Sequence, residues 1–100
     1  MSENVLPPSW DGTVILDIGD DVGALVLHAS GDWLGREIDL LPDDRSVPHT
    51  HSAVRERRSP DGSAYAAIYP QLRAGQYTVE DSRQRLTIVG GRVTEIALAE

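Results

Sequence analysis

Residues 49–58 read HTHSAVRERR, with His49 and His51 two apart and Arg55, Arg57 and Arg58 close behind. On an extended strand, residues two apart share a face. His49 and His51 could therefore offer two imidazoles to one metal ion, and Asp43 or Asp44 could add a carboxylate. The same alternation places Arg55 and Arg57 beside them, and two guanidinium groups repel a cation. That charge favours an anionic small molecule or a protein partner over a metal, and the plainest alternative is a solvated sheet face whose arginines pair with the many acids. Tyr65 and Tyr69 follow in the next stretch, and arginine and tyrosine are enriched in binding hot spots. The candidate binding residues are His49, His51, Arg55, Arg57, Tyr65 and Tyr69. No metal-ligand set, cofactor or catalytic residue is assigned.

A hairpin must position this strip. Ser59-Pro60-Asp61-Gly62 has Pro at the second turn position and Gly at the fourth. This suits a type I turn followed by a left-handed Gly bulge. The register then pairs Ser59 with Ser63, Arg57 with Tyr65, Arg55 with Ala67 and Ala53 with Tyr69. Val54 meets Ile68 on the opposite face, which must be the buried one. Glu56 shares that inner face but lies near the hairpin end, where it can reach water. Arg57 over Tyr65 would be a cation–π contact.

Short apolar runs of period two, separated by turn residues, continue along the chain. They predict strands over 13–18, 24–29, 36–41, 51–58, 63–69, 76–81, 84–88 and 92–98, with a second hairpin turning at Gly90-Gly91. No stretch has the apolar stripe of a helix. The fold class is all-β: one β-sandwich of seven to eight mostly antiparallel strands, prealbumin- or immunoglobulin-like. Residues 1–12 read as an N-terminal arm kept extended by Pro7 and Pro8, and 13–100 as the sandwich domain. The expected core is Val14, Leu16, Ile18, Leu25, Leu27, Ile38, Leu40, Val54, Ile68, Val79, Leu86, Ile88, Val93 and Ile96. A shift of frame in the second strand would exchange Leu25 and Leu27 for Val26. Trp33 is expected to lid one end of the core, and His28 to face outward.

Composition narrows the functions. The chain has 100 residues and a net charge of -7, from sixteen acids and nine bases, all of them arginine. Such a surface disfavours nucleic acid and anionic membrane, which demand basic faces. The lack of lysine removes Schiff-base chemistry, and the lack of cysteine removes disulfides, thiolate metal sites and thiol nucleophiles. The start has no signal-peptide pattern, and nothing approaches the ~20 apolar residues of a membrane helix. The expectation is a cytoplasmic monomer or weak homodimer. Asp17, Asp20 and Asp21 surround Gly19 but do not follow calcium-loop spacing. His49 or His51 with Ser52 and an acid does not make a triad, because no nucleophile elbow or oxyanion loop accompanies them.

Residues 72–98 read LRAGQYTVEDSRQRLTIVGGRVTEIAL. Leu72-x-Ala74-Gly75-x-Tyr77-Thr78-Val79, then Thr87-x-Val89 and Val93-Thr94-x-Ile96-x-Leu98, resembles the closing strands of transthyretin-like (prealbumin-like) and carboxypeptidase regulatory-like β-sandwiches. Arg73 stands where those domains commonly carry Pro. The match covers the last third of the chain, and the remainder is similar to small actinobacterial proteins of unknown function. The resemblance implies that Tyr77 is structural, with its hydroxyl capping a loop, and that the domain is an accessory or interaction module. One branch of that family hydrolyses a urate derivative and carries a Tyr-Arg-Gly-Ser end. Here the residues are Leu98-Ala99-Glu100, so the resemblance does not extend to that activity. The expected function is a non-catalytic interaction or accessory module using the outer face of the 49–69 hairpin. The alternative is a small-ligand or metal-binding protein, with hydrolysis open to it, around His49 and His51.

Overall fold

A computed structural model of the protein describes residues 18–99. The expected strand over 13–18, the arm and the core positions Val14 and Leu16 therefore lie almost wholly outside the described residues. The remaining chain forms β1 (Val22–Ala29), a short 3-10 turn (Gly31–Trp33), β2 (Glu37–Pro42), β3 (Thr50–Ala53), β4 (Arg55–Ser59), β5 (Gly62–Arg73), β6 (Gly75–Val79), β7 (Arg85–Ile88) and β8 (Val93–Ala97). They make a β-sandwich of two four-stranded sheets, ordered β4-β5-β1-β8 and β3-β2-β6-β7. All pairings are antiparallel except β1 with β8.

Alternation builds the core. Leu25 and Leu27 of β1, Ile38 and Leu40 of β2, Tyr77 and Val79 of β6, and Leu86 and Ile88 of β7 all point between the sheets and belong to one buried cluster. Tyr69, Leu72 and Leu98 join them, while Ile96 is only half-buried against the cluster. Ile18 and Val93 are likewise half-buried. Val26 is as fully buried as its neighbours, yet it faces away from the cluster. Its partner across the ladder, Ile68, does the same, with Ala24 and Ala66 beside them. The β1/β5 pair is thus apolar on both faces, so its frame could not be read from hydrophobicity alone.

Two connections depart from expectation. Gly90-Gly91 is not a hairpin turn: β7 lies in one sheet and β8 in the other, so the chain crosses between layers there. A side chain at position 90 would collide with the Asp20 backbone carbonyl, and Gly91 takes a φ of 76°. Backbone proximity and left-handed geometry, not strand reversal, account for the pair.

The stretch read as one strand over 51–58 is two strands. β3 pairs with β2 and β4 pairs with β5, and the chain changes sheet at Val54. Val54 is fully buried; its N–H donates to the Arg36 carbonyl and its own carbonyl accepts from Gly35, each at 2.9 Å. The Ser52 hydroxyl donates to the Ile68 carbonyl at 2.8 Å, tying β3 to the opposite sheet. A strand that changes sheets makes a corner of this kind.

Candidate functional site

The β4–β5 register is one residue away from the sequence reading. Ser59 pairs with Gly62, Arg58 with Ser63, Arg57 with Ala64, Glu56 with Tyr65 and Arg55 with Ala66. Only Pro60 and Asp61 form the loop, and Gly62, with φ at 123°, enters the ladder as the first residue of β5. The Ser59 hydroxyl holds the turn, accepting from the Asp61 N–H and donating to the Gly62 carbonyl. A one-residue slip sends every side chain of the partner strand to the other face. Tyr65 and Tyr69 therefore point inward, not beside the arginines. Tyr69 is 2 % exposed, and its hydroxyl donates to the Ile38 carbonyl at 2.6 Å. Burial, with the charges of Asp39 and Asp81 adding to it, pushes its phenol well above the ordinary range.

The six expected binding residues are accordingly dispersed. Arg55 is exposed and Arg57 half-buried, both on the outer face of the β4-β5-β1-β8 sheet. His51 lies on the outer face of the other sheet, opposite Asp39 and 3.8 Å from Glu37. The outer faces of a sandwich look away from each other, so His51 and the arginines do not make one strip. His49 precedes β3 and lines a groove. The expected Arg57–Tyr65 stacking is replaced by Arg36 over Trp33, at 4.1 Å from the ring centroid. Trp33 packs half-buried against the core, as its lid position required.

The carboxylates considered for His49 and His51 are engaged elsewhere. Asp43 accepts two bonds from Arg85, at 2.6 and 3.2 Å, and this guanidinium lowers its pKa. Asp44 accepts from the Ser46 hydroxyl and N–H, which lowers its pKa as well. Among the described residues, no three His, Cys, Asp or Glu side chains converge to hold a metal.

Two arrangements remain that could contact a partner. The first is β4, which holds Arg55, Arg57 and Arg58 within four residues. Arg58 is 82 % exposed and lies 3.4 Å from Glu56, whose carboxylate also accepts from Ser63 at 2.6 Å. Glu56 thus sits on the inner side yet reaches the hairpin end, as its position implied. Arg58 and its link to Glu56 were missed because the strip was read only at alternate positions.

The second is a groove of about 300 Å³ where the start of β3 faces the end of β5. His49 and Thr50 line it from one segment and Gln71 and Arg73 from another. Val47 and Pro48 add accessible apolar surface, and the almost wholly buried Leu72 and Tyr77 adjoin it. The end of β5 was missed because Pro70 reads as a strand stop. Instead, a bulge opposite Gly23–Leu25 accommodates Pro70, and β5 continues to Arg73. The extra residue changes the alternation, so that Tyr69 and Leu72, three apart, both face the core. The Tyr77 hydroxyl donates to the Arg73 carbonyl at 2.7 Å, the loop-capping role expected for it.

Comparison of the chain with family models, with known proteins and with solved structures finds no match. Among the described residues, no helix is long and apolar enough to cross a membrane.

Proposed function

We propose that this protein is a non-catalytic interaction module that holds an acidic segment of a partner protein along β4. The observation that carries this reading is the concentration of Arg55, Arg57 and Arg58 in one five-residue strand of a chain whose net charge is -7. Arg55 and Arg57 project from the outer face of this edge strand, and Arg58 from its other side beside Glu56. A basic edge on an acidic body attracts carboxylates at β4 while the rest of the surface repels them. Guanidinium forks suit carboxylates, which they can hold through two parallel hydrogen bonds. The resemblance of residues 72–98 to transthyretin-like and carboxypeptidase regulatory-like domains, most of them accessory modules, supports the same reading.

The test is a titration with an Asp/Glu-rich peptide, followed by amide chemical shifts, on the wild type and on Arg55→Ala with Arg58→Ala. Both arginines are exposed, so the double variant should keep its stability to within about 0.5 kcal/mol. Arg57 is left in place because it is half-buried. Saturable shifts along Arg55–Ser59 that weaken about tenfold or more in the variant are expected. Equal binding by the two proteins, or no localised shift in either, would refute the reading.

A further inference from the structure

The groove between the start of β3 and the end of β5 lies at a different place from the arginine strip, and its lining has a different chemistry. Its volume of about 300 Å³ is at the small end of the range of small-molecule sites. One side chain in it carries a fixed positive charge: Arg73, whose side chain is 64 % exposed. The acid nearest to Arg73 among the ion pairs is Asp21, at 3.8 Å and itself 73 % exposed. At that distance the contact is a loose ion pair, not a hydrogen bond, and Arg73 has donors to spare.

The neighbouring Asp44 takes its hydrogen bonds from Ser46 and not from Arg73, although it keeps its negative charge and the Arg73 charge contributes to lowering its pKa. The imidazole of His49, the hydroxyl of Thr50 and the amide of Gln71 add hydrogen-bonding groups. The accessible apolar surface comes from Val47 and Pro48, whereas Leu72 and Tyr77, whose hydroxyl is committed to the Arg73 carbonyl, are almost wholly buried. One guanidinium with neutral hydrogen-bonding groups around it, beside the accessible apolar surface of Val47 and Pro48, is a pattern that suits an organic anion. A carboxylate would meet Arg73 as a fork and His49 as a second donor, while the body of the molecule lies against Val47 and Pro48.

We infer that this groove binds a small organic carboxylate with an apolar body, its carboxylate held by Arg73 and His49. The site is independent of β4, and neither reading requires the other.

The probe is benzoate, with benzamide as its neutral counterpart of the same shape. Amide chemical shifts of the ¹⁵N-labelled full chain are followed during each titration. Benzoate is expected to move the signals of His49, Thr50, Leu72, Arg73 and Tyr77 saturably, leaving those of Arg55–Ser59 in place. Benzamide is expected to bind at least about tenfold more weakly, as is benzoate to Arg73→Gln. Arg73 is exposed, so that variant should retain the dispersed spectrum of the folded protein. A second variant, His49→Gln, should weaken benzoate about two- to tenfold while keeping the same set of shifted signals. The inference is overturned if benzoate produces no saturable shift in the groove, if benzamide binds equally well, or if Arg73→Gln binds benzoate as the wild type does.

Discussion

At the scale of single residues, Tyr69 shows how a polar tip changes the meaning of an aromatic ring. Its ring fills the core and its hydroxyl spans the two sheets to reach the Ile38 carbonyl. Tyr69→Phe removes the donor and leaves a buried carbonyl with one bond fewer, so it should destabilise the fold by about 1–2 kcal/mol at neutral pH. The alkaline limb of stability should also change. The phenol is held neutral in the folded state, chiefly by burial, whereas an unfolded tyrosine ionises near its ordinary value of 10.0. Its folded pKa is raised, so its contribution is whole below pH 10 and is lost as the pH climbs beyond that. Melting measured at about pH 8 and about pH 11 should show a smaller alkaline loss in Tyr69→Phe than in the wild type. The loss should not vanish, because Tyr77 is also shifted upward, mainly by burial. An identical alkaline loss in both proteins would contradict the assignment. Tyr77 could be read as structural from its motif. Tyr69 could not, because its side depended on the length of the turn that starts its own strand.

At the scale of elements, the turns decide which faces meet. The SPDG sequence identifies a hairpin, but a three-residue and a two-residue loop are both compatible with Pro at its second and Gly at its fourth position. The two differ by one residue of register, and that residue separates Tyr65 and Tyr69 from Arg55 and Arg57. The Gly90-Gly91 pair suggests a chain reversal in composition, yet its neighbour is the Asp20 backbone in the turn before β1. Gly90→Ala should therefore force two backbones apart and cost at least about 1–3 kcal/mol. Gly19→Ala is the control, since no described residue lies within 4 Å of an added methyl group there, and it should fall within about 0.5 kcal/mol of the wild type. Urea unfolding of the two variants checks this, and similar midpoints for both would contradict the packing at Gly90. Pro70 makes the same point from the strand side. A proline ends a strand only where its missing N–H would break the ladder, and the bulge at that position removes the requirement.

At the scale of the whole molecule, charge is unbalanced and the close ion pairs lie at the surface. His28–Glu95, Arg58–Glu56 and Arg85–Asp43 all involve partly or largely exposed groups, and such pairs contribute little. With a net charge of -7, repulsion among the acids should outweigh them. Raising salt from about 20 mM to about 0.5 M shortens the screening length several-fold. The melting temperature is expected to rise, and a fall would show that the pairs dominate. The sequence by itself determined the class of fold, the positions of most strands and most of the described core, because a period of two and the placement of turn residues are local properties. It also determined the outward direction of His51, Arg55 and Arg57 and the inner position of Glu56, since alternation continues through the corner at Val54. Only the tertiary structure decided which sheet each strand joins, that the histidine and the arginines occupy opposite outer faces, and that Arg73 comes to stand across a groove from His49. Those outcomes depend on pairings between distant segments and on one-residue differences at a turn and a bulge. Neither leaves a periodic trace in the chain.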